Sequence, residues 1–424
     1  MIKKFIELCN QNSTKDAFRY LEHKNLKSKT YGELLNDIYK MCNLFNDLGI
    51  KKGDKAIVFL IPSYEMYALM LAGLMYGINI VIMDSFKNKT KIKHMSELSK
   101  AKYLIVNKKT KFISNFIFKK IRKIDISNYY KYKCVPYDYI LDSSQIVLTT
   151  FTSGTTGIPK EIDRSFKDFE NQINVLTNNY DFNNHDVIIC MLPIYVLFSL
   201  FNGNTTCMIK KIKKRNIDIF EGDVLLGKIA DVLKINDIIT RLKDVYLGGA
   251  FIYKSEAEKI IKTFPNSKIH YTYGASEGVL IGINDLSDFY QHNRFKIVKD
   301  VNVKIVDKIN NVGEIVISGK SVLGLHNQHY TGDIGYSDSK YVYIVGRKKY
   351  SCLENCFYNY VHDQKIRDKY KIDKAFSIWY NNQSYIFVEK TLPGKEFIIV
   401  KKMPYDLKHQ TKADYNSLIN KYLK

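Results

Sequence analysis

A segment rich in glycine and hydroxyl groups, residues 149–160, carries the clearest chemical signal in this sequence. It reads Thr-Thr-Phe-Thr-Ser-Gly-Thr-Thr-Gly-Ile-Pro-Lys and ends at Lys160. In such a turn the backbone N–H groups converge on phosphate oxygens, because glycine has no Cβ to keep a ligand away, and the hydroxyl and ammonium groups add further donors. The spacing is not that of a Walker loop. The segment therefore predicts a polyphosphate site, with ATP as the expected ligand.

Further motifs follow this segment in a fixed order. They are Tyr-Gly-Ala-Ser-Glu at 273–277, Tyr-Thr-Gly-Asp-Ile-Gly at 330–335, Gly-Arg-Lys-Lys at 346–349, and Lys412 close to the end. A glycine-rich turn alone is usually a plain surface loop, but the ordered series is much harder to obtain by chance. The series resembles the adenylate-forming superfamily, which includes acyl-CoA synthetases, peptide-synthetase adenylation domains and luciferases. The resemblance begins at about residue 29.

The resemblance implies a set of residues around the nucleotide. The β- and γ-phosphates would be held by Thr152, Ser153, Gly154, Thr155, Thr156, Gly157 and Lys160. Adenine would stack on Tyr273 beside Gly274, with Gly248, Gly249 and Ala250 as the flat opposite wall, and Ser276 would lie near the α-phosphate. An ordinary buried tyrosine and a plain turn remain the structural alternatives for these positions.

The resemblance also assigns the charged residues. Glu277 would hold Mg²⁺, because a hard cation prefers carboxylate oxygen. Asp333 would accept hydrogen bonds from the two ribose hydroxyls, and Arg347 would belong to the same nucleotide-binding set. Lys412, in a segment that resembles the closing motif of the family, would bridge the carboxylate substrate and the α-phosphate. The expected catalytic residues are therefore Lys412, Glu277 and Lys160; a solvated acid is the alternative for Glu277.

Composition bounds the class of protein. At 424 residues and 46% hydrophobic, the chain can bury a large core. A net charge of +22 is typical of nucleic-acid or anionic-membrane binding. Here the excess is lysine scattered along the sequence, which favours a solvated surface, so no nucleic-acid partner is expected. The seven cysteines form no even framework, which favours a reduced, cytoplasmic protein.

Two apolar stretches are long enough to imitate membrane spans. Residues 66–83 are divided by Gly77-Ile78-Asn79, and residues 187–209 are interrupted by Pro193 and by Asn202-Gly203-Asn204. Each therefore predicts buried helices and strands rather than a membrane span.

The order of elements predicts an α/β fold. Helical spacing in residues 31–48 and apolar runs at 56–60, 103–106, 145–148, 187–190 and 244–247 indicate parallel sheets covered by helices. After about residue 295 alternating apolar residues predict a small antiparallel β subdomain. We expect a large N-terminal domain at 1–346 and, by resemblance, a small, mobile and shortened α+β cap at 347–424.

The expected activity has two steps: ATP-dependent conversion of a small, apolar carboxylate to an acyl-adenylate with release of pyrophosphate, then acyl transfer to a thiol. The thiol would belong to coenzyme A or to the phosphopantetheine of an acyl- or peptidyl-carrier protein. Departures from the family pattern keep alternatives open. Asn355-Cys356 stands where relatives carry a glycine pair, which favours a non-thiol acceptor. Glu161, beside the phosphate segment, favours a catalytically weak nucleotide-binding protein that serves a partner.

Overall fold

The fold is seen in a computed structural model, which describes residues 1–22, 25–83, 89–118, 121–137, 142–152, 160–183, 186–209, 211–394, 397–405 and 413–423. It describes only the backbone of residues 89, 91, 152 and 325. The chain divides into two compact units. The first contains Met1–Thr177 and Asp181–Ile209, and the second contains Asn178–Tyr180 and Lys210–Lys424.

The first unit is an α/β body. Its helices are α1 (Ile2–Gln11), α2 (Tyr31–Asp47), α3 (Tyr64–Tyr76), α4 (Lys89–Ser99), α5 (Lys108–Ile117), α6 (Phe166–Asn179) and α7 (Pro193–Phe201). Its strands are β1 (Asp16–Glu22), β2 (Asn25–Thr30), β3 (Lys55–Val58), β4 (Asn79–Ile82), β5 (Tyr103–Val106), β6 (Arg122–Asp125), β7 (Ile146–Thr152), β8 (Lys160–Ser165), β9 (Val187–Cys190) and β10 (Thr205–Met208).

Parallel pairing dominates this unit. One sheet has the order β6-β5-β3-β4-β7-β8, in which only the β7–β8 pair is antiparallel. Strands β9, β10 and β1 are also parallel neighbours, and β2 closes against β1 as an antiparallel hairpin. Apolar side chains from β3, β4 and β5, among them Ile57, Val81 and Leu104, form a buried core with Met95 of α4. The prediction of parallel sheets covered by helices is confirmed.

Local sequence explains where the helices begin and end. Thr30 and Glu33 form a capping box at the start of α2: Glu33 N donates to Thr30 Oγ1 at 3.2 Å, and Thr30 N donates to Glu33 Oε2 at 2.9 Å. Helix α3 ends at Gly77, whose φ of 88° lies in the left-handed region that glycine adopts readily. This turn divides the first apolar stretch into α3 and β4, as predicted.

The second apolar stretch divides in the same way, into β9, α7 and β10, with Pro193 as the first residue of α7. Within the described residues, no helix combines the length and the apolar character needed to cross a bilayer.

The second unit carries the remaining elements. Its helices are α8 (Lys214–Phe220), α9 (Ile229–Val232), α10 (Lys254–Thr263), α11 (Leu286–His292), α12 (Asn359–Tyr370) and α13 (Tyr415–Tyr422). Its strands are β11 (Val224–Lys228), β12 (Asp244–Gly248), β13 (Lys268–Tyr273), β14 (Gly282–Asp285), β15 (Phe295–Ile297), β16 (Asn302–Ile309), β17 (Val312–Ser318), β18 (Gln328–Ser337), β19 (Tyr341–Arg347), β20 (Ala375–Tyr380), β21 (Gln383–Val388) and β22 (Phe397–Ile399).

Pairing changes character along this unit. Strands β11, β12 and β13 are parallel, whereas β14 to β19 pair only in antiparallel fashion, in the order β16-β17-β18-β19-β15-β14-β13. The change falls between β13 and β14, and antiparallel pairing continues through β15 to β19, the region where alternating apolar residues predict an antiparallel subdomain. That prediction is confirmed.

Residues 347–424 contain a small sheet of order β20-β21-β22 with α12 and α13. Their core includes Phe376, Phe387 and Leu418, and Tyr253 from the segment before α10 belongs to the same buried cluster. These residues share the second unit with residues 210–346. A separate, mobile cap beginning at residue 347 stays a prediction.

A buried group of polar side chains lies between the start of α10 and α12; we call Tyr253, Asp363 and Arg367 the Asp363 cluster. Tyr253 OH donates to Asp363 Oδ2 at 2.6 Å, and Ser377 N donates to Asp363 Oδ1 at 2.6 Å. The guanidinium carbon of Arg367 lies 3.5 Å from the centroid of the Tyr253 ring. The cluster therefore binds α12 to the segment before α10 by both a hydrogen bond and a cation–π contact.

The charges in the Asp363 cluster are incompletely compensated. Arg367 Nη1 lies 3.9 Å from Glu256 Oε1, and within the described residues neither Nη1 nor Nη2 makes a hydrogen bond. Burial raises the pKa of Asp363 to about 7, although hydrogen bonds from Ser377 and Tyr253 oppose the shift. Burial likewise raises the pKa of Glu256. Asp363 is thus a buried carboxyl that titrates near neutral pH.

Candidate functional site

Tyr273, Asp333 and Arg347 meet in the second unit; we call them the Asp333 cluster. Tyr273 OH donates to Asp333 Oδ2 at 2.9 Å, and Arg347 Nη1 donates to Asp333 Oδ1 at 2.7 Å. The same Nη1 lies 3.3 Å from the carbonyl oxygen of Thr331. Because each carboxylate oxygen can accept about two hydrogen bonds, both oxygens of Asp333 keep capacity for a further donor.

Strand pairing positions this cluster. Tyr273 is the last residue of β13, and Asp333 lies directly opposite Arg347 in the β18–β19 pair. Gly332 has a φ of 71°, and a Cβ added there would lie 3.3 Å from Arg347 Nη2. Glycine at this position therefore lets the backbone turn while leaving room for the guanidinium.

Electrostatics keep Arg347 and Tyr273 each in one protonation state at neutral pH. The charge of Asp333 is the largest influence on Arg347 and raises the pKa of its guanidinium. Burial, followed by the charge of Asp333, raises the pKa of Tyr273 well above its usual value. Arg347 therefore stays cationic and Tyr273 stays a neutral donor.

Tyr273, the residue expected to stack on adenine, is largely buried. Tyr273 is 9% exposed, and its ring centroid lies 5.5 Å from that of Phe295, so the ring offers little open surface. Stacking of a purine on Tyr273 stays a prediction. What the structure assigns to Tyr273 is its hydroxyl, which positions Asp333.

The glycines near this position are required by close backbone approach. A Cβ on Gly248, at the end of β12, would collide with Thr272, and a Cβ on Gly274 would collide with the carbonyl oxygen of Val279. Gly249 has a φ of 94°, and the carbonyl oxygen of Ala250 accepts a hydrogen bond from Tyr271 OH at 2.7 Å. The backbone of the Gly-Gly-Ala turn is therefore explained by contacts within the protein, independently of any ligand.

Glu277 lies on an irregular segment after β13, together with Ser276, and not at the start of a helix. Its Oε2 atom is 3.6 Å from His329 Nε2, and the two side chains are 17% and 20% exposed. His329 is a neighbour that the sequence reasoning missed; the only signal was its position four residues before Asp333. Across the described ranges, no group of three or more His, Cys, Asp or Glu residues could hold a metal ion by itself.

Lys160 and Glu161 belong to the first unit. Lys160 is exposed at the start of β8, where it is paired in register with Thr152 of β7. Glu161 Oε1 lies 2.7 Å from Lys55 Nζ, and the same ammonium is 3.8 Å from Asp163 Oδ1. The negative charge that the sequence places beside the phosphate segment is therefore balanced by Lys55.

Several predicted site residues lie outside the described residues. They are Ser153, Gly154, Thr155, Thr156, Gly157 and Lys412, and the side chain of Thr152 is likewise outside the description. Strand β7 ends at Thr152, so the first four residues of the 149–160 segment belong to that strand. The roles of these residues stay predictions.

Asn359 is a second residue that sequence reasoning missed. It is fully buried, and its Oδ1 accepts hydrogen bonds from Arg347 N at 2.8 Å and from Ser351 Oγ at 3.0 Å. Its Nδ2 donates to Tyr415 OH at 3.2 Å. A Cβ on Gly346 would lie 2.6 Å from Asn359 Oδ1. Asn359 thus holds the backbone of Arg347 in place. No sequence motif marks Asn359.

Comparison with known proteins decides the family. A family model described as AMP-binding enzyme matches residues 5–324. The chain belongs to the AMP-binding enzyme family. The match covers both the glycine- and hydroxyl-rich segment and the Tyr-Gly-Ala-Ser-Glu motif.

Similarity to individual members is distant but extensive. The chain is 24% identical to 4-coumarate--CoA ligase 2 of Petroselinum crispum, and the similarity covers 76% of this chain and 71% of the relative. Among solved structures it is similar to the O-succinylbenzoate coenzyme A synthetase (MenE) of Bacillus subtilis in complex with ATP and magnesium ion, at 17% identity and a TM-score of 0.81, covering 99% of both chains. The A-PCP structure of McyG with phenylalanyl-adenylate gives 14% identity and a TM-score of 0.77, covering 91% of this chain and 73% of that one.

These comparisons confirm the recognition of the adenylate-forming superfamily, the α/β fold class and the prediction of an enzyme from this ligase class. For an AMP-binding enzyme, the Asp333 cluster is the part of the predicted site that the described residues bring together.

Proposed function

We propose that the protein uses MgATP to activate a carboxylate, forming an acyl-adenylate and pyrophosphate, and then transfers the acyl group to a thiol. The thiol belongs to coenzyme A or to the phosphopantetheine of a carrier protein. Membership of the AMP-binding enzyme family supports the first step. The observation that carries the proposal is the Asp333 cluster, an oriented carboxylate with spare acceptor capacity.

In this proposal Asp333 binds the ribose. Arg347 and Tyr273 each hold one oxygen of the carboxylate, so that the remaining lone pairs point in fixed directions. A vicinal diol offers two donors at the spacing of one carboxylate. Fixing the nucleoside in this way contributes to catalysis by orientation, since the α-phosphate must be held in line with the attacking carboxylate.

Glu277 is the residue proposed to hold the magnesium ion. Mg²⁺ is commonly bound by one or two carboxylates together with substrate phosphates, so a single acidic side chain fits such a site. When bound, the ion would neutralise phosphate charge. His329, 3.6 Å from the Glu277 carboxylate, is placed to orient it.

The remaining roles follow the sequence predictions. The 152–157 segment and Lys160 are proposed to bind the β- and γ-phosphates, and Ser276 to lie near the α-phosphate. Lys412 is proposed to neutralise the charge that builds up as the carboxylate oxygen bonds to the α-phosphorus and pyrophosphate leaves. The aromatic and aliphatic sequence at 194–198 supports an apolar carboxylate as the substrate.

The first step is tested by carboxylate-dependent exchange of labelled pyrophosphate into ATP, over fatty, aromatic and amino acids. We expect exchange with at least one apolar carboxylate. Lys412→Ala should slow exchange by about a hundredfold or more while ATP binding is nearly unchanged. Lys421→Ala, a lysine on α13, is the matched control and should exchange at the normal rate. Absence of exchange with every carboxylate would refute the first step.

A non-thiol acceptor is the second candidate, and one observation favours it. Cys356 has a φ of 49°, in the left-handed region that favours glycine, so the turn keeps a glycine-like backbone but carries a side chain. Asn310 Nδ2 lies 3.6 Å from Cys356 Sγ, which places further atoms beside the turn. Side chains at a position where relatives carry glycine would hinder the entry of a pantetheine arm.

Product analysis separates the two acceptors. Mass spectrometry after incubation with the active carboxylate and ATP, with and without coenzyme A, should show a thioester under the main proposal. Cys356→Gly should then increase thioester yield and leave pyrophosphate exchange unchanged. A thioester that never forms, together with an amide or ester product, would establish the second candidate instead.

A catalytically weak partner protein receives less support. Its grounds in the sequence are the charge of Glu161 and the shortened cap, and Lys55 balances the charge of Glu161 at 2.7 Å. Robust turnover in the exchange assay would exclude it, whereas ATP binding without turnover would favour it.

A further inference from the structure

Helix α5 turns three of its four large apolar side chains outward, whereas the fourth, Ile117, is half-buried against the core of the first unit. Phe112 is 71% exposed, Ile113 52% and Phe116 66%, whereas Thr110 and Ser114 are buried. A surface helix normally shows the reverse arrangement, with apolar residues facing the core. Phe112 and Phe116 lie one turn apart, and their rings meet edge to face with centroids 5.1 Å apart. The exposed apolar residues therefore form one continuous stripe.

The buried side of α5 explains how the helix forms without its aromatic residues. Ser114 Oγ donates to the carbonyl oxygen of Lys111 at 2.6 Å. Asn107 caps the helix, because its Oδ1 accepts hydrogen bonds from Lys109 N at 3.1 Å and Thr110 N at 3.2 Å. These polar groups are satisfied locally, so Phe112 and Phe116 are not needed to hold α5 in place.

Two exposed lysines lie at the N-terminal end of the apolar stripe. Lys108 and Lys109 are exposed in the first turn of α5, where a cation opposes the helix dipole and so does not stabilise the helix. Residues 101–118 and 121–126 contain six lysines and arginines but one acid, Asp125. Asp125 Oδ2 lies 3.0 Å from Lys111 Nζ. Lys102 is paired in the same way with Asp54 at 3.4 Å. The exposed Lys108 and Lys109 are therefore the basic residues that lie one helical turn before Phe112 and Ile113.

We propose that the α5 surface, defined as Lys108, Lys109, Phe112, Ile113 and Phe116, docks on an anionic phospholipid bilayer. The aromatic and aliphatic side chains enter the boundary between head groups and acyl chains, and the lysines contact lipid phosphates. The helix lies along the surface and does not span the bilayer.

Charge complementarity selects this occupant over others. An apolar stripe flanked by lysines matches both layers of an anionic membrane surface, its negative head groups and its apolar interior. Single-stranded nucleic acid is bound by rings that stack on bases along a groove. Here the stripe includes Ile113, whose aliphatic side chain has no ring face for a base. A second copy of the chain would bring lysines against lysines.

Co-sedimentation of the full chain with vesicles tests the proposal. Vesicles of phosphatidylcholine and phosphatidylglycerol in equal parts should bind the protein at low salt, whereas phosphatidylcholine alone should bind it weakly. High salt should release it, because exposed charges are screened. The double variant Phe112→Ser/Phe116→Ser and the double variant Lys108→Glu/Lys109→Glu should each weaken binding by about tenfold or more.

A matched control lies on another helix. Ile261 is exposed on α10 and is followed by the exposed Lys262, so Ile261→Ser/Lys262→Glu makes the same kinds of change away from α5. This variant should bind vesicles like the wild type. All variants are compared at equal helix content by circular dichroism, and Phe116→Trp gives a second readout that does not depend on loss of binding.

Fluorescence of Phe116→Trp reports insertion directly. The wild-type chain has a single tryptophan, Trp379, far along the sequence in β20. Brominated lipid should quench the added emission of Phe116→Trp and leave the wild-type emission unchanged. Failure of the wild type to bind anionic vesicles at low salt would overturn the proposal. So would vesicle binding that survives both double variants, self-association through α5 without lipid binding, or preference for single-stranded RNA over vesicles.

Discussion

The Asp333 cluster and the Asp363 cluster contain the same three residue types, arginine, aspartate and tyrosine, in different arrangements. In the Asp333 cluster, arginine pairs with aspartate at 2.7 Å and tyrosine donates to the other carboxylate oxygen. In the Asp363 cluster, tyrosine again donates to aspartate, but arginine lies over the tyrosine ring and makes no ion pair with the aspartate within the described residues. The position of one guanidinium separates the two arrangements.

The difference shows that the position of the guanidinium separates a cluster suited to binding a ligand from one that stabilises the fold. In the Asp333 cluster the guanidinium binds one carboxylate oxygen, and both oxygens can still accept a further hydrogen bond from a ligand. Without that pairing, burial dominates, and the pKa of Asp363 rises to about 7. The Asp333 cluster is therefore suited to recognition and the Asp363 cluster to holding α12 against the segment before α10.

The largest expected effect concerns the two arginines. Arg367→Ala should lower the free energy of unfolding by about 3 to 5 kcal/mol, because it removes a buried cation and leaves Glu256 without its charged neighbour. Urea denaturation followed by circular dichroism measures the loss. Arg367→Met, which keeps apolar contact with Tyr253, should lose less. Arg347→Met is the matched change in the Asp333 cluster and should reduce ATP affinity more than stability. Equal losses of stability in Arg367→Met and Arg347→Met would contradict the distinction between the two clusters.

The pH dependence of stability distinguishes the two aspartates. Asp363 binds its proton more tightly in the folded chain, with a pKa of about 7 against an ordinary value of 3.8. The folded state therefore holds more protons than the unfolded state between these values, and the contribution of Asp363 to stability falls as pH rises from about 4 to 7.

Asp363→Asn should remove this dependence, and its stability relative to the wild type should rise over that pH range by on the order of 3 kcal/mol. Unfolding midpoints at a series of pH values provide the measurement, with Asp307→Asn, an exposed acid of β16, as control. A wild-type minus variant difference that is flat with pH would mean that Asp363 is ionised throughout.

Nucleotide binding should depend on Asp333 and not on Asp363. Asp333→Asn should weaken ATP binding by about a hundredfold. The amide NH2 group would donate where the ribose hydroxyls need an acceptor, and the neutral side chain would lose the ion pair with Arg347. Calorimetric titration with ATP gives the affinity. Asp363→Asn should bind ATP within about threefold of the wild type, because its hydrogen-bond partners Tyr253 and Ser377 are not among the residues proposed to bind the nucleotide. Similar losses in both variants would show that the clusters are coupled.

The smallest effect is expected from the two tyrosine hydroxyls. Tyr253→Phe should cost about 1 kcal/mol of stability, because Asp363 loses a buried donor. Tyr273→Phe leaves Arg347 in place, so stability should change less and ATP affinity should fall only a few-fold. Reversed results, with stability following Tyr273 and affinity following Tyr253, would contradict the assignment of the two clusters.

The sequence predicts the fold well where local signals and burial agree. Glycine at 77, proline at 193 and the capping pair Thr30 and Glu33 mark element ends by backbone rules that tertiary structure does not override. The motif containing Asp333 also marks two residues with a physical task in the fold, because Gly332 lets the backbone turn beside Arg347 and Asp333 pairs with Arg347.

What the sequence does not predict are contacts between distant segments. Lys55 and Glu161 are 106 positions apart, and Tyr253 and Asp363 are 110 positions apart. Asn359 and His329 carry no motif, and their importance follows only from the atoms that the folded chain brings beside them. The exposure of the aromatic residues of α5 is equally hard to predict from the sequence, because apolar residues in a helical pattern predict a buried face.

The buried amide of Asn359 has a practical consequence for protein engineering. It joins the backbone of Arg347 to Ser351 and Tyr415, and Gly346 leaves room for it. A chimera that exchanges the C-terminal segment with that of a relative would break this junction if the crossover point fell between Gly346 and Asn359. Recombination upstream of Tyr253 transfers the amide together with these partners and also keeps Tyr253 with Asp363 and Arg367, so it is the design that should give folded hybrids.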